Sequence, residues 1–178
     1  MGFFYAQNWA KTVFLYPLSM QRNFKSYTVE EAKRALERYC VYQERCHEEV
    51  RAKLKEMGMI PIAIDEIIGH LITHDFLNET RFAQAFARGK FNNKQWGKQR
   101  IERELKARKI GPYNLKMALK EIDPEIYLTT FDTLSRKRLA QLSQETDTYR
   151  KRKKMADYLL YRGWEPSLVY EKIRELLP

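Results

Sequence analysis

A chain of 178 residues with 44% hydrophobic and 31% charged side chains is long enough to bury a core and too apolar for a disordered tail. Its net charge of +10 makes a phosphate polymer the leading partner class, although basic ribosomal and membrane-surface proteins share such values. Seven scattered glycines exclude a Gly-rich phosphate loop, and Cys40 and Cys46, six apart in one helical pattern, point to different faces and are not expected to pair. A reducing, cytosolic compartment follows.

Residues 1–27 read as an N-terminal extension. The aromatic and apolar run over 1–19 is interrupted by Gln7, Asn8 and Lys11, which argues against a signal peptide, and it is too short to span a bilayer. Translation from Met20, just ahead of Gln21 and Arg22, is the simplest account of it. The periodic pattern starts at Thr28, where Thr28 and Glu31 form a capping-box signature that predicts a helix start. Ala35, Leu36 and Tyr39 mark one apolar face, and Val50, Leu54 and Met57 the next. Gly58 and Pro61 supply a stop and a restart, after which Ile64, Ile67, Ile68 and Leu71 recur at helical spacing.

Sliding Gly58 by 51 residues onto Lys109, and Lys109 by 54 onto Gly163, brings several columns into agreement. Val50, Ile101 and Met155 align, as do Leu54, Leu105 and Leu159, then Met59, Ile110 and Trp164. Pro61, Pro112 and Pro166 form the sharpest column, because proline is tolerated in the first turn of a helix and so marks three equivalent starts. The chain is therefore predicted to be all-α: three tandem three-helix repeats over 28–77, 78–128 and 129–178, sharing contacts in an elongated, curved array. The segment 143–149 interrupts the third repeat between its first and second helices.

Charge is distributed unevenly. Residues 28–77 hold seven Lys/Arg against ten Asp/Glu, a net of −3; residues 78–128 reach +6 and residues 129–178 reach +4. An acidic first repeat beside two basic ones points to two kinds of contact, one with an anion and one with basic protein surface, against the plainer reading of unevenly solvated faces.

Two stretches carry the candidate binding residues. In a helix expected over 94–109, Gly97, Ile101 and Leu105 form the buried stripe, with Gln99, Arg103, Lys106 and Trp96 opposite and Arg100 and Glu102 on the flanks. Trp96 is the candidate for stacking on a base or a partner, with burial against the neighbouring repeat as the competing role. In the third repeat Arg150, Lys151, Arg152, Lys153 and Lys154 repel one another, a cost that phosphates relieve. A nuclear-localisation signal is the competing reading of that run. With Arg81, Arg88, Lys90, Lys94 and Lys98, these cations are the expected nucleic-acid contacts.

No catalytic constellation is expected, and no cofactor. His70 and His74 lie four apart, but with only His47 and two distant cysteines besides they do not suggest a metal site, and Glu102 and Glu104 are expected to form local ion pairs. The protein is expected to be no enzyme.

The runs FLNETRFAQAFARGKF and WGKQRIERELKARKIG resemble the central signature of the RecX family of regulators of the RecA recombinase. The motif places are Phe76, Leu77, Arg81, Phe82, Ala83, Arg88, Gly97, Arg100, Ile101, Glu104 and Leu105; Lys109, where relatives favour glycine, and the N-terminal extension depart from the pattern. The resemblance spans residues 28–176 and is strongest in the second repeat. It implies a non-enzymatic, cytoplasmic, monomeric protein acting in homologous recombination, DNA repair and the SOS response. Such a protein binds RecA filaments on single- and double-stranded DNA and inhibits their extension, ATPase and strand exchange. Of the motif residues, Phe82, Ala83, Ile101 and Leu105 fit a core, and Arg81, Arg88 and Arg100 either bind anions or pair with acids such as Glu79 and Glu104. The alternative function is a sequence-independent DNA-binding helical protein acting without RecA, with RNA association ranked last.

Overall fold

The computed structural model describes residues 26–178, so the expected extension lies outside the described residues up to residue 25. The described residues form α1 (Val29–Tyr42), α2 (His47–Glu56), α3 (Pro61–Thr73), α4 (Glu79–Lys94), α5 (Lys98–Ala107), α6 (Pro112–Lys120), α7 (Pro124–Gln141), α8 (Thr148–Tyr161) and α9 (Pro166–Leu176), with no strand among them. Consecutive triplets pack together: α1 and α2 on α3, α4 and α5 on α6, and α7 with α8 on α9. No described helix is long and apolar enough to cross a membrane.

Each triplet opens on a side-chain cap. The Thr28 hydroxyl accepts from the Glu31 amide while the Glu31 carboxylate accepts from the Thr28 amide, the reciprocal box read from sequence. Asn78 caps α4 by accepting from the Arg81 amide, and Asp123 caps α7 by accepting from Glu125 and Ile126. The third helix of every triplet begins on the aligned prolines, Pro61, Pro112 and Pro166.

The repeat columns have a physical origin at the end of each second helix. Gly58, Lys109 and Gly163 all take positive φ, of 77°, 59° and 84°. This left-handed residue turns the chain so that the next amide reaches back to the helix: Met59 to the Leu54 carbonyl at 3.1 Å, Ile110 to Leu105 at 3.1 Å and Trp164 to Leu159 at 3.2 Å. It is the same Schellman turn three times, with an apolar residue after the turn closing over the helix it ends. Lys109 adopts a conformation that costs an L side chain about 1–2 kcal/mol, which is why its counterparts are glycine.

Two cores result. Leu36, Val50, Leu54, Ile64, Ile67 and Leu71 centre the first, within α1–α3. A second, continuous core runs through α4–α9 and includes Phe91, Ile101, Leu105, Tyr127, Met155 and Trp164. Contact between neighbouring units is thus a shared core for the second and third, while the first closes on itself and, among the described residues, lends only Cys46 to the larger cluster. Cys40 belongs to the first core, and neither thiol is paired.

Three expectations are corrected. The helix anticipated over 94–109 is broken at Gln95, whose φ of 51° ends α4, so α5 starts at Lys98 and Trp96 stands in the connecting turn rather than on the polar face of a helix. The 128/129 border falls inside α7, whose start is fixed by the Asp123 cap. Cys40 and Cys46 do not share one helix, because the chain turns between Tyr42 and His47.

Candidate nucleic-acid interface

The centre of the candidate site is the seam between the second and third triplets. Helix α5 has Gly97 at its N-cap and no side-chain cap of its own, which leaves its first amides to be satisfied from elsewhere. The Gly97 and Gln99 amides donate to the Arg162 and Gly163 carbonyls at 2.9 and 3.2 Å, and the Lys98 amide donates to the Tyr127 hydroxyl at 3.0 Å. That hydroxyl donates in turn to Glu165 at 2.7 Å, and burial, then this bond to Glu165, push the Tyr127 phenol up from its ordinary range. The third triplet therefore caps a helix of the second. Backbone meets backbone here: a Cβ on Gly97 would overlap the Gly163 carbonyl, and one on Gly163 would overlap Arg100.

Beside this seam runs a ladder of alternating cations and rings. Arg108 lies 5.0 Å over Phe86, Lys90 lies 5.1 Å from Phe86 and 5.2 Å from Trp96, and Arg100 lies 4.0 Å from Trp96 and 4.7 Å from Tyr161. A second group places Arg138 and Arg162 at 4.7 and 4.8 Å over Tyr158. Two adjoining clefts of about 440 and 460 Å³ open along it, both lined by Asn93 and Lys94. One adds Phe86, Lys90 and Arg108 together with the Glu44 and Glu49 carboxylates of the first triplet, the other Trp96, Arg100, Tyr161 and Arg162.

The predicted cations divide into two sets. Several are held internally. Arg81 pairs with Glu44 at 2.5 Å and Asp75 at 2.9 Å, and Arg88 with Glu121 at 2.6 Å, so their acids come from the fold rather than from Glu79 and Glu104. Arg100 donates to the Tyr161 carbonyl at 3.1 Å, Lys106 pairs with Glu102 at 2.7 Å, and Arg152 donates to the Leu177 carbonyl at 2.7 Å. Arg150 pairs with Asp147 at 3.4 Å, and Lys154 with Glu145 at 2.5 Å, which holds that carboxyl below its usual range. Lys90, Lys94, Lys98, Arg103, Lys151 and Lys153 have no carboxylate partner among the described residues. Lys90 and Lys98 rest on aromatic faces, Lys98 4.6 Å from Tyr127. Trp96 is half-buried and packs against the large core, which is the burial weighed against a stacking role for it.

Sequence reasoning missed Arg138, Tyr158, Tyr161 and Arg162. The signal for Arg162 was present in the repeat register, since it occupies the column of Arg108 and both residues precede the left-handed turn and lie over a ring. The expected local pairs of Glu102 and Glu104 do form, the latter with Arg108 at 3.1 Å. His70 lies 2.7 Å from Glu37 and stacks beside His74 at 4.1 Å between ring centroids.

Residues 78–119, from the cap of α4 to the end of α6, match the family model described as RecX, second three-helix domain. Among solved structures, the crystal structure of RecX from Lactobacillus salivarius superposes with a TM-score of 0.71 at 25% identity, covering 84% of this chain and 96% of that one. The second triplet thus matches a RecX domain, and the chain is similar to RecX proteins over most of its length. A second structure, of regulatory protein RecX, gives a TM-score of 0.73 at 23% identity over 83% of this chain and 73% of that one, a likeness of fold. The regulatory protein RecX of Prosthecochloris aestuarii is 26% identical over 150 residues, 83% of this chain and 96% of its own length. The RecX protein of Clostridium acetobutylicum is 25% identical over 135 residues, 74% of this chain, and the match spans 62% of that longer relative. Both of these relatives are named regulatory proteins, and the fold is shared with the solved RecX structures.

Proposed function

We propose that this RecX-like protein is a non-enzymatic, monomeric cytoplasmic regulator that binds RecA filaments on DNA and inhibits their extension, ATPase and strand exchange. The observation that carries the DNA half of this reading is the set of cations Lys90, Lys94, Lys98, Arg103, Lys151 and Lys153 in the two basic triplets, which have no carboxylate partner among the described residues. Cations without carboxylates release counterions when they meet phosphate, and a Lys-rich set favours backbone contact over base readout. The first triplet, net negative and closed around its own core, is suited to basic protein surface.

The test is the steady-state ATPase of the host's RecA on single-stranded DNA, titrated with this protein, beside a series measuring binding to the same DNA without RecA. A substoichiometric fall in ATPase where free DNA is barely bound is the expected result. Equal DNA binding with and without RecA, and an ATPase that changes only at DNA saturation, favours the second reading, a DNA-binding protein acting without RecA. Replacing Arg150, Lys151, Arg152, Lys153 and Lys154 by Ala is expected to weaken binding and flatten its salt dependence while helix content is kept; unchanged binding removes α8 from the interface.

A further inference from the structure

The outer edge of the third triplet holds a groove of about 710 Å³ between α8 and α9, larger than either cleft at the seam. Its floor is apolar, with Ala156 and Ile173 buried, and its rim carries two exposed rings, Tyr149 at 77% and Tyr170 at 51%. Three cations line it against the single side-chain carboxylate of Asp157. Arg152 is committed to the Leu177 carbonyl, whereas Lys153 and Arg174 have no partner among the described residues.

We propose that this groove takes unpaired nucleotides of a DNA single strand, Tyr149 and Tyr170 offering ring faces to bases while Lys153 and Arg174 meet the flanking phosphates. The proposal rests on the reading of α8 as a DNA contact and adds to it a preference for strand state. A solvent-exposed tyrosine has an apolar face with nothing to cover it, and every base has a complementary π-face, so stacking is tolerant of sequence. In a duplex those faces are already stacked on one another, and only the phosphates remain available. Cations next to rings around an apolar floor therefore discriminate unpaired from paired DNA, which a cationic helix alone does not. An acidic peptide would match the charge, but it would leave the two rings without a planar partner.

The test is fluorescence anisotropy of the full chain with three labelled probes: a 20-mer of thymidylate, a 20-mer strand of abasic sites, and a 20-base-pair duplex. The Tyr149→Ala/Tyr170→Ala variant is expected to lose about tenfold or more in affinity for the thymidylate strand and to stay within about twofold of the parent on the other two probes. Tyr149→Phe/Tyr170→Phe, which keeps the rings, is expected to bind like the parent. Equal loss on the abasic strand, or no loss on thymidylate, overturns the proposal while the wider DNA reading stands. Failure of the parent protein to bind any of the three sinks both. Binding of a Glu-rich 20-mer peptide that the Ala variant loses, with thymidylate binding unchanged, overturns the proposal and assigns the groove to a protein segment.

Discussion

The two seams in this chain are built from different chemistry. The first and second triplets meet through polar groups: Arg81 on Glu44 and Asp75, Lys109 on Glu48 at 3.1 Å, and the His47 ring beside Glu79 at 3.5 Å, with Cys46 the one buried apolar bridge among the described residues. The second and third meet through backbone and rings, with the close approach of Gly97 to Gly163 and the aromatic run Phe91, Tyr127, Trp164 at 5.8 and 4.5 Å between centroids. Half-exposed ion pairs contribute little and are screened by salt, whereas a shared core couples the stability of whatever it joins. The first triplet is thus expected to unfold independently of the second and third, and those two to unfold together.

The largest test of this contrast is a pair of cavities. Leu105→Ala is expected to cost about 2–5 kcal/mol, as buried Leu truncations do, and to speed amide exchange across both α4–α6 and α7–α9. Leu54→Ala, equally buried in the first core, is expected to speed exchange in α1–α3 alone. Exchange confined to α4–α6 in the first variant would show that the second core is two.

Close packing at the second seam can be probed by a single methyl group. Gly97→Ala is expected to destabilise by about 1–3 kcal/mol in urea titration, through overlap with the Gly163 carbonyl and loss of the α5 cap. Gly69→Ala, in the middle of α3 with open space where its Cβ would sit, is expected to stabilise by about 0.5–1 kcal/mol. Equal outcomes for the two variants would mean that Gly97 is not a packing site.

Opposite ends of the pH scale are expected to loosen the two seams. At the first, the Asn78 hydrogen bond and then the Arg81 guanidinium hold the Asp75 carboxyl below its ordinary range. Its contribution is present above about pH 4, where the unfolded chain titrates, and is lost as pH falls through the lower folded value. At the second, Tyr127 holds its proton more tightly folded than unfolded, so its contribution is complete below about pH 10 and is lost as pH rises beyond that. Asp75→Asn is expected to flatten the acid limb of a stability profile and Tyr127→Phe the alkaline limb. A variant that moved the other limb would reverse the assignment.

The smallest expected effect lies at the turn that ends α5. Lys109→Gly relieves a positive φ and is expected to add about 0.5 kcal/mol after the entropy of glycine and the lost pair with Glu48 are set against it. A fall in thermal midpoint would mean that the ion pair across the first seam outweighs the strain.

Much of the fold was legible because it is periodic. The proline column, the Thr28 cap and the buried columns led by Val50 and Leu54 recur with the helix and its turns, and each depends on neighbours a few residues away. The candidate site was legible only as a list of cations. Which of them are spent depended on acids far along the chain: Glu44 lies 37 residues from Arg81, and Glu121 lies 33 from Arg88. Trp96 was misplaced because a left-handed Gln95 broke the pattern in a residue type that carries no strong turn signal.

By itself, then, the sequence determined the helical class, the threefold repeat, the stop and start of the helices at each α2–α3-type turn, and the contrast in charge between the triplets, because all of these follow from local spacing and composition. Only the tertiary structure decided that the second and third triplets share one core, that α5 is capped by carbonyls 65 and 64 residues away, and that Lys153 and Arg174 stand beside Tyr149 and Tyr170 with no partner among the described residues. Those outcomes depend on which surfaces meet in space, and no periodicity within a helix encodes that meeting.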